Sequence, residues 1–408
     1  VAHDPPLASD IEAIARGASA WVRTVGSAAD VAREAVAAVR AASGPPGAVA
    51  TLVVPDDVQR APADDELPPP ASPVTALDAA SIAAAADRLR GARTPIVLLG
   101  GPAVDARGLH AAARVCSVTG ARLLVEQFPR NLRAEPGLPR PARLQYLPQM
   151  ARPQLAEHDF VLLAGADPPV CFFGYPGEPP LLTPEQTAVV PLAAKDVDPR
   201  LALEALADAL RASAPADPEP VGRPVAPEGT LGADTIAAAI AALLPDDAIV
   251  VDEGITASLP LYPALAGAAP HDYLACKGGA IGWSLPAATG AALAGRGRRV
   301  VTLVGDGSAA YTLQALWTQA REGLDVTTVV AVNHRYAILQ LELLRAGGLV
   351  EGPGAALTAI DAPNLSWSAL ARGFGVPARR VNDAAECVAA LQTSFATPGP
   401  MLIEALLP

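Results

Sequence analysis

Apolar runs of strand length alternate along this chain with longer segments of helical spacing. The alternation is most regular in the C-terminal half. Residues 232–245, "GADTIAAAIAALLP", carry a helical pattern, and 247–254, "DAIVVDEG", a short apolar run. A helix at 284–295, a strand at 298–307, a helix at 312–324 and a strand at 326–333 follow, then a last helix and strand at 383–397 and 400–407. The strand runs are rich in Val, Ile and Leu with little polar alternation. That pattern predicts strands covered on both faces, as in a parallel sheet between helical layers.

The middle of the chain reads the same way. Strands are predicted at 94–101, 121–126 and 158–166, with a helix at 106–120 stopped by Gly120. The first sixty residues offer one helix, 27–43 with Ser27 as its N-cap, and one strand, 47–55. One helix and one or two strands cannot close a core alone. Two polar, proline-rich tracts, 55–73 and 212–229, read as linkers. The expected plan is therefore α/β with parallel sheets flanked by helices, in three pieces: 1–60, 74–211 and 230–408.

Composition narrows the class. The chain has 408 residues, 51% of them hydrophobic and 18% charged, so a large buried core is expected. Net charge is −12 with no basic stripe, which argues against a nucleic-acid partner. Only two lysines, Lys195 and Lys277, stand among 30 basic residues, a bias read as genomic. Four well-separated cysteines fit a reduced, cytoplasmic protein without a disulfide frame or zinc knuckle. No apolar run reaches membrane-span length, and the N-terminus shows no signal-peptide pattern. The absence of an initiator Met suggests a chain that begins inside a larger protein.

The chemistry concentrates in "LVGDGSAAYT", a strand running into a glycine turn and a helix start. Gly305, Gly307 and Ala310 formally fit the dinucleotide fingerprint, yet Asp306 at the tip would repel a bare pyrophosphate. A nicotinamide site also wants an acid at the end of the next strand, where Asn333 stands. A divalent metal resolves the conflict. Asp306, the Asn333 amide oxygen and the Arg335 carbonyl supply hard oxygen donors, and a diphosphate with water would complete an octahedron suited to Mg²⁺. A helix N-terminus beyond Ser308 adds its dipole. The plainer alternative is that Asp306 only caps the helix.

The stretch from Gly305 to Asn333 resembles the thiamine diphosphate (ThDP) signature, in which G-D-G precedes Asn by 25–30 residues. With "CKGGAIGWSLPAATGAALA" and "VVDEGITAS", it is similar to acetolactate synthase large subunits and benzoylformate decarboxylases. The resemblance covers the whole last piece and, more loosely, the other two. It implies a remnant of a pyrimidine-binding domain at 1–60, a central Rossmann-like domain and a diphosphate-binding domain. It implies Mg²⁺ on Asp306, Asn333 and Arg335, although Val332 and His334 replace the family's usual Asn and Gly. Gly254, Ile255, Thr256, Gly307 and Ser308 would face the diphosphate. Ile281 would support the bend between the cofactor rings, the Gly279 carbonyl would accept from the 4′-amino group, and Tyr336 and Gln340 would line the substrate side.

The implied activity is decarboxylation or carboligation of 2-oxo acids, with pyruvate-type substrates as in acetolactate synthesis. A benzoylformate-type lyase and a non-catalytic relative are the alternatives. The family's catalytic glutamate lies in the pyrimidine domain, and neither Glu12 nor Glu34 sits in a matching motif, so this chain alone is expected to be inactive. FAD in the central domain, as in acetolactate synthases, is a further alternative, although the FAD-contact segments find no convincing match. A homodimer or homotetramer with the cofactor at the subunit interface is implied. Glu253 reads as a strand-end residue, solvated or functional, while His271 and His334 are candidate acid–base groups.

Overall fold

The computed structural model describes residues 6, 8–44, 47–63, 75–174, 177–213 and 221–408. Among the described residues, fourteen strands lie in three sheets. β1 (Trp21–Thr24) and β2 (Ala50–Val53) pair in parallel. The helix Val31–Ser43 between them follows a 3₁₀ turn at Ala28–Asp30, so Ser27 precedes that turn rather than capping the helix; its hydroxyl bonds Asp30 at 2.7 Å. Val25 and Val58 are the buried hydrophobic side chains among the described residues here, too few for a core.

β3 (Pro95–Leu99), β4 (Arg122–Val125), β6 (Ala142–Arg143), β7 (Phe160–Ala164) and β8 (Ala188–Pro191) form a five-stranded parallel sheet in the order β6-β4-β3-β7-β8. β3 and β7 are buried along their whole length, as their uninterrupted apolar runs predict. The helix Ala106–Thr119 ends at Gly120, which takes the left-handed conformation with φ 68°. Helices Ala79–Gly91 and Pro199–Ala209, not read from the sequence, pack on this sheet through Leu89, Leu203 and Leu206.

The C-terminal sheet has seven strands: β9 (Ala248–Glu253), β10 (His271–Ala275), β11 (Val300–Gly305), β12 (Val326–Val332), β13 (Ala378–Val381), β14 (Met401–Leu406), and β5 (Leu132–Ala134). Their order is β13-β14-β12-β11-β9-β10-β5. All pairs are parallel except β10–β5, where His271 lies opposite Ala134. Thus a three-residue strand from within 74–211 closes the edge of the sheet built by 230–408. Its sequence, "LRA", is too short for any period to show.

The tract 55–73 contains the short helix Asp56–Arg60, and residues 64–73 lie outside the described set. In the tract 212–229, residues 214–220 lie outside it; Arg223 anchors beyond, donating to the carbonyls of Ala242 and Leu244 at 3.0 and 2.6 Å. No helix among the described residues is long and apolar enough to cross a membrane.

Candidate cofactor and metal site

From β9 the chain crosses to β10 on one side, then back to β11 on the other. Such a reversal opens a crevice outside the carboxyl ends of the two strands, where ligands bind in open α/β sheets. The loops after β9, β11 and β12 meet there. A Cβ placed on Gly305 would lie 3.6 Å from the Gly254 carbonyl, so the first two loops touch.

Asp306 stands at the centre and is 3% exposed. One carboxylate oxygen accepts from the Gly307 N–H at 2.9 Å. The other accepts from the N–H groups of Asn333 and His334 at 3.2 and 2.8 Å, joining the β11 and β12 loops. His334 takes φ 58°, a left-handed conformation uncommon for a non-glycine residue, and this turns its N–H toward Asp306. Asn333 Oδ1 accepts from the Arg335 N–H at 3.1 Å. Burial pushes the Asp306 carboxyl above its ordinary range, while the three backbone N–H groups oppose that shift. No arginine or lysine forms a salt bridge to it among the described residues. Asp306 is therefore a loop-tying acceptor; Gly305, not Asp306, is the N-cap of the short helix that begins here, so the simple capping alternative fails.

Gly307 lies under the Tyr336 ring. A Cβ there would sit 2.4 Å from Tyr336 Cε1, so only glycine fits this cradle. Gly254 is similarly closed in: a Cβ there would meet Ser258 Oγ at 2.6 Å and the Leu303 side chain at 3.0 Å. Ile255 adopts φ 54°. For a β-branched residue this is a strained backbone, of the kind that gathers at functional loops. Thr256 lies inside the 3₁₀ turn Ile255–Ser258. Ser308 is buried beside Asp306.

Glu253 is not solvated. It is 1% exposed, and its carboxylate accepts from three successive N–H groups: Gly282, Trp283 at 3.1 Å and Ser284 at 2.6 Å. Those groups open the helix Ser284–Ala294, where a carboxylate also complements the helix dipole. The anchor fixes the end of the loop carrying Gly279 and Ile281. Gly279 has φ 72° and is exposed, and Ile281 is half-buried rather than a core residue. Thr312 Oγ1 donates to the Gly282 carbonyl at 2.7 Å, attaching this loop to the segment after Asp306. Beneath it, Asp252 is fully buried and accepts from the hydroxyls of Ser258 and Tyr273. Burial pushes its carboxyl up, with the Arg143 guanidinium opposing. Nothing in the spacing of "VVDEG" separates the roles of these two acids.

A cluster of rings lies beside the same loop. Phe128, Tyr146, Phe172 and Phe173 contact one another edge-on or tilted, with centroids 5.4–6.1 Å apart. Phe172 reaches Gly279, where a Cβ would meet its ring at 2.9 Å. The cluster leaves no mark in the sequence, because its members come from separate loops of the five-stranded sheet.

Other candidates lie elsewhere. His271 sits at the amino end of β10, away from the crevice, with Nδ1 2.7 Å from the Ala269 carbonyl. Burial, chiefly, pushes it down to about 4; Arg140 and Arg133 add to this, and the Ala269 carbonyl and Asp272 oppose it. Gln340 bonds Thr358 at 3.0 Å and joins two peripheral helices. Glu12 pairs with Arg16, and Glu34 with Arg23 and Arg33.

The donors suit a hard cation. Among the described residues no three His, Cys, Asp or Glu side chains form a metal cluster. What the site does present is the buried Asp306 carboxylate, tied to the backbone N–H of Asn333, beside a glycine cradle with room for no side chain. Oxygen ligation supplemented by phosphate oxygens and water is what Mg²⁺ takes.

The chain is similar to known proteins in sequence and in fold. Residues 263–405 match the family "Thiamine pyrophosphate enzyme, C-terminal TPP binding domain". Over the full chain and 79% of the relative's length, the sequence is 44% identical to the Mycobacterium tuberculosis protein named "Putative acetolactate synthase large subunit IlvX". It is 32% identical to benzoylformate decarboxylase of Pseudomonas aeruginosa, over 94% of this chain and 75% of that one. In structure it is similar to the Rhodococcus jostii thiamine diphosphate-dependent 4-hydroxybenzoylformate decarboxylase, with TM-score 0.78 and 25% identity over 97% of this chain and 77% of that one. The chain belongs to the ThDP-dependent enzyme family, in the branch of acetolactate synthases and benzoylformate decarboxylases.

Proposed function

We propose that this chain binds ThDP through Mg²⁺ at the β9/β11 crevice and acts in decarboxylation or carboligation of 2-oxo acids, with pyruvate-type substrates as in acetolactate synthesis. The observation that carries this reading is Asp306, a buried carboxylate at a glycine-cradled turn, tied to Asn333 and bonded to no cationic side chain among the described residues. Asp306, the Asn333 side chain and the Arg335 carbonyl would hold Mg²⁺. Backbone at Gly254, Ile255, Thr256, Gly305, Gly307 and Ser308 would receive the diphosphate, with Tyr336 covering Gly307. The Gly279 carbonyl would orient the aminopyrimidine and Ile281 would support it from below. When bound, ThDP supplies the electron sink that loss of CO₂ from a 2-oxo acid requires.

The protein's part is to place and desolvate. Glu253 fixes the 279–283 loop, and the buried β strands hold the crevice rigid. Two copies assembling around the cofactor belong to the same reading; exposed Tyr311, packed against Gly282 of the site loop, supports it.

A second reading has its own support. The Phe128–Tyr146–Phe172–Phe173 cluster beside Gly279 suits an aryl 2-oxo acid better than pyruvate. Calorimetric titration with ThDP in Mg²⁺ and then in EDTA tests the cofactor assignment. Binding in Mg²⁺ alone is expected, and equal affinity in both buffers would overturn the metal site. Because burial raises the Asp306 carboxyl, Mg²⁺-dependent affinity should fall on acidification at a higher pH than for an ordinary carboxylate. Titrating the loaded protein with pyruvate and benzoylformate separates the two substrate readings.

A further inference from the structure

The chain uses arginine almost everywhere it uses a cation, yet both its lysines, Lys195 and Lys277, line one cavity of about 490 Å³. The cavity lies between the carboxyl edge of the five-stranded sheet and the loop that begins at Lys277. Lys277 Nζ reaches across to Glu126 Oε1 at 2.6 Å. Glu126 follows β4, and the same oxygen accepts from the Gly101 N–H at 3.2 Å, just beyond β3. Its side chain is 22% exposed and that of Lys277 is 52% exposed, so the pair sits at the cavity's edge rather than in bulk solvent.

Between Lys277 and Trp283 the chain is also held by the Gly279 N–H on the Cys276 carbonyl at 3.2 Å, the Cys276 thiol on the Ala280 carbonyl at 3.1 Å and Thr312 on the Gly282 carbonyl at 2.7 Å. Gly278, Gly279 and Gly282 all take positive φ, and residues 277–280 are exposed. Glycines in such conformations restrict the backbone least, so side-chain anchors at the ends add to these contacts in setting the loop's position. Glu253 is the anchor at one end, and it belongs to the same sheet as the loop. The anchor at the other end belongs to a different sheet.

We infer that the Glu126–Lys277 pair is a positioning brace by which the five-stranded sheet sets the 277–283 loop, and with it Gly279 and Ile281. The inference rests on the ThDP reading for what the loop holds, but not for the brace itself. Neither residue touches the reacting atoms. Lysine suits the role because a single flexible ammonium can reach a carboxylate that is already engaged by a backbone N–H.

The test is hydrogen exchange of the full chain, with and without ThDP and Mg²⁺, for Lys277→Met, Lys277→Arg, Glu126→Gln and the double variant. Lys277→Met should exchange faster in peptides spanning 277–283 only, with a melting temperature within about 2 °C of the parent. Its ThDP affinity should fall about three- to tenfold, as expected for one partly exposed charge-assisted bond. Lys277→Arg should restore most of both. Glu126→Gln should behave like Lys277→Met, and the double variant should be no worse than either single. Unchanged loop exchange in Lys277→Met, equal effects of Met and Arg, or additive single effects would each overturn the brace. If the parent binds no ThDP but Lys277→Met still loosens the loop, the cofactor reading fails and the brace stands. If the parent binds ThDP and Lys277→Met matches it in exchange and affinity, the brace fails alone.

Discussion

The five-stranded and seven-stranded sheets differ in strand order, and they differ more in what they carry. Each reverses strand order next to its first strand, β3 or β9, and each opens a crevice at its carboxyl edge. Both crevices are glycine-lined: Gly100 and Gly165 face each other in one, Gly254 and Gly305 in the other. Among the described residues, only the second places a buried carboxylate with no salt-bridge partner between two loops. The fold supplies a crevice twice, and the side chains decide which one suits a metal and a diphosphate.

Asp306→Ala should break that difference most sharply. Mg²⁺-dependent ThDP affinity should drop by at least ~100-fold while far-UV circular dichroism stays that of the parent. Undiminished calorimetric affinity would sink the metal assignment. Next, Glu253→Ala should leave three N–H groups of the 282–284 turn unpaired, at a cost of about 3 kcal/mol in urea unfolding. An unfolding midpoint equal to the parent's would show that water replaces the carboxylate freely.

His271→Gln probes the opposite edge of the same sheet. The folded-state value of about 4 lies below the ordinary 6.5, so the unfolded chain takes up the proton first as pH falls. Stability from the neutral ring is full above pH 6.5 and lost between there and pH 4, by on the order of 2–3 kcal/mol. The variant should flatten that slope without altering ThDP affinity at pH 7, and a slope that persists would place its origin in another group.

The finest comparison pairs two glycines. In Gly307→Ala the methyl meets the Tyr336 ring, and in Gly100→Ala it meets Ala166 Cα at 2.7 Å. Each should cost about 1–3 kcal/mol in thermal unfolding. Only Gly307→Ala should also weaken ThDP binding, and equal weakening by both would erase the distinction between the crevices.

Long apolar runs announced β3, β7, β9, β11, β12 and β14, because a strand buried on both faces needs an unbroken hydrophobic sequence. Short or half-exposed strands such as β5, β8 and β13 carry no such run and stayed hidden. Asp306 and Asn333 could be brought together from sequence alone, since consecutive parallel strands with one helix between them place their loops side by side. Glu253 could not be assigned, because its three partners lie about thirty residues away and are backbone groups without a sequence mark.

By itself, then, the sequence determined the α/β class, the glycine turn with its acid, and the pairing of the β11 and β12 loops. These are local patterns repeated at fixed spacing, and chain order alone brings them together. Tertiary structure decided that β5 closes the other sheet, that Glu253 is an anchor, that Phe172 leans on Gly279 and that Lys277 reaches Glu126. Each of these joins residues across packed elements, where the contact depends on how two sheets dock and not on any period within one segment.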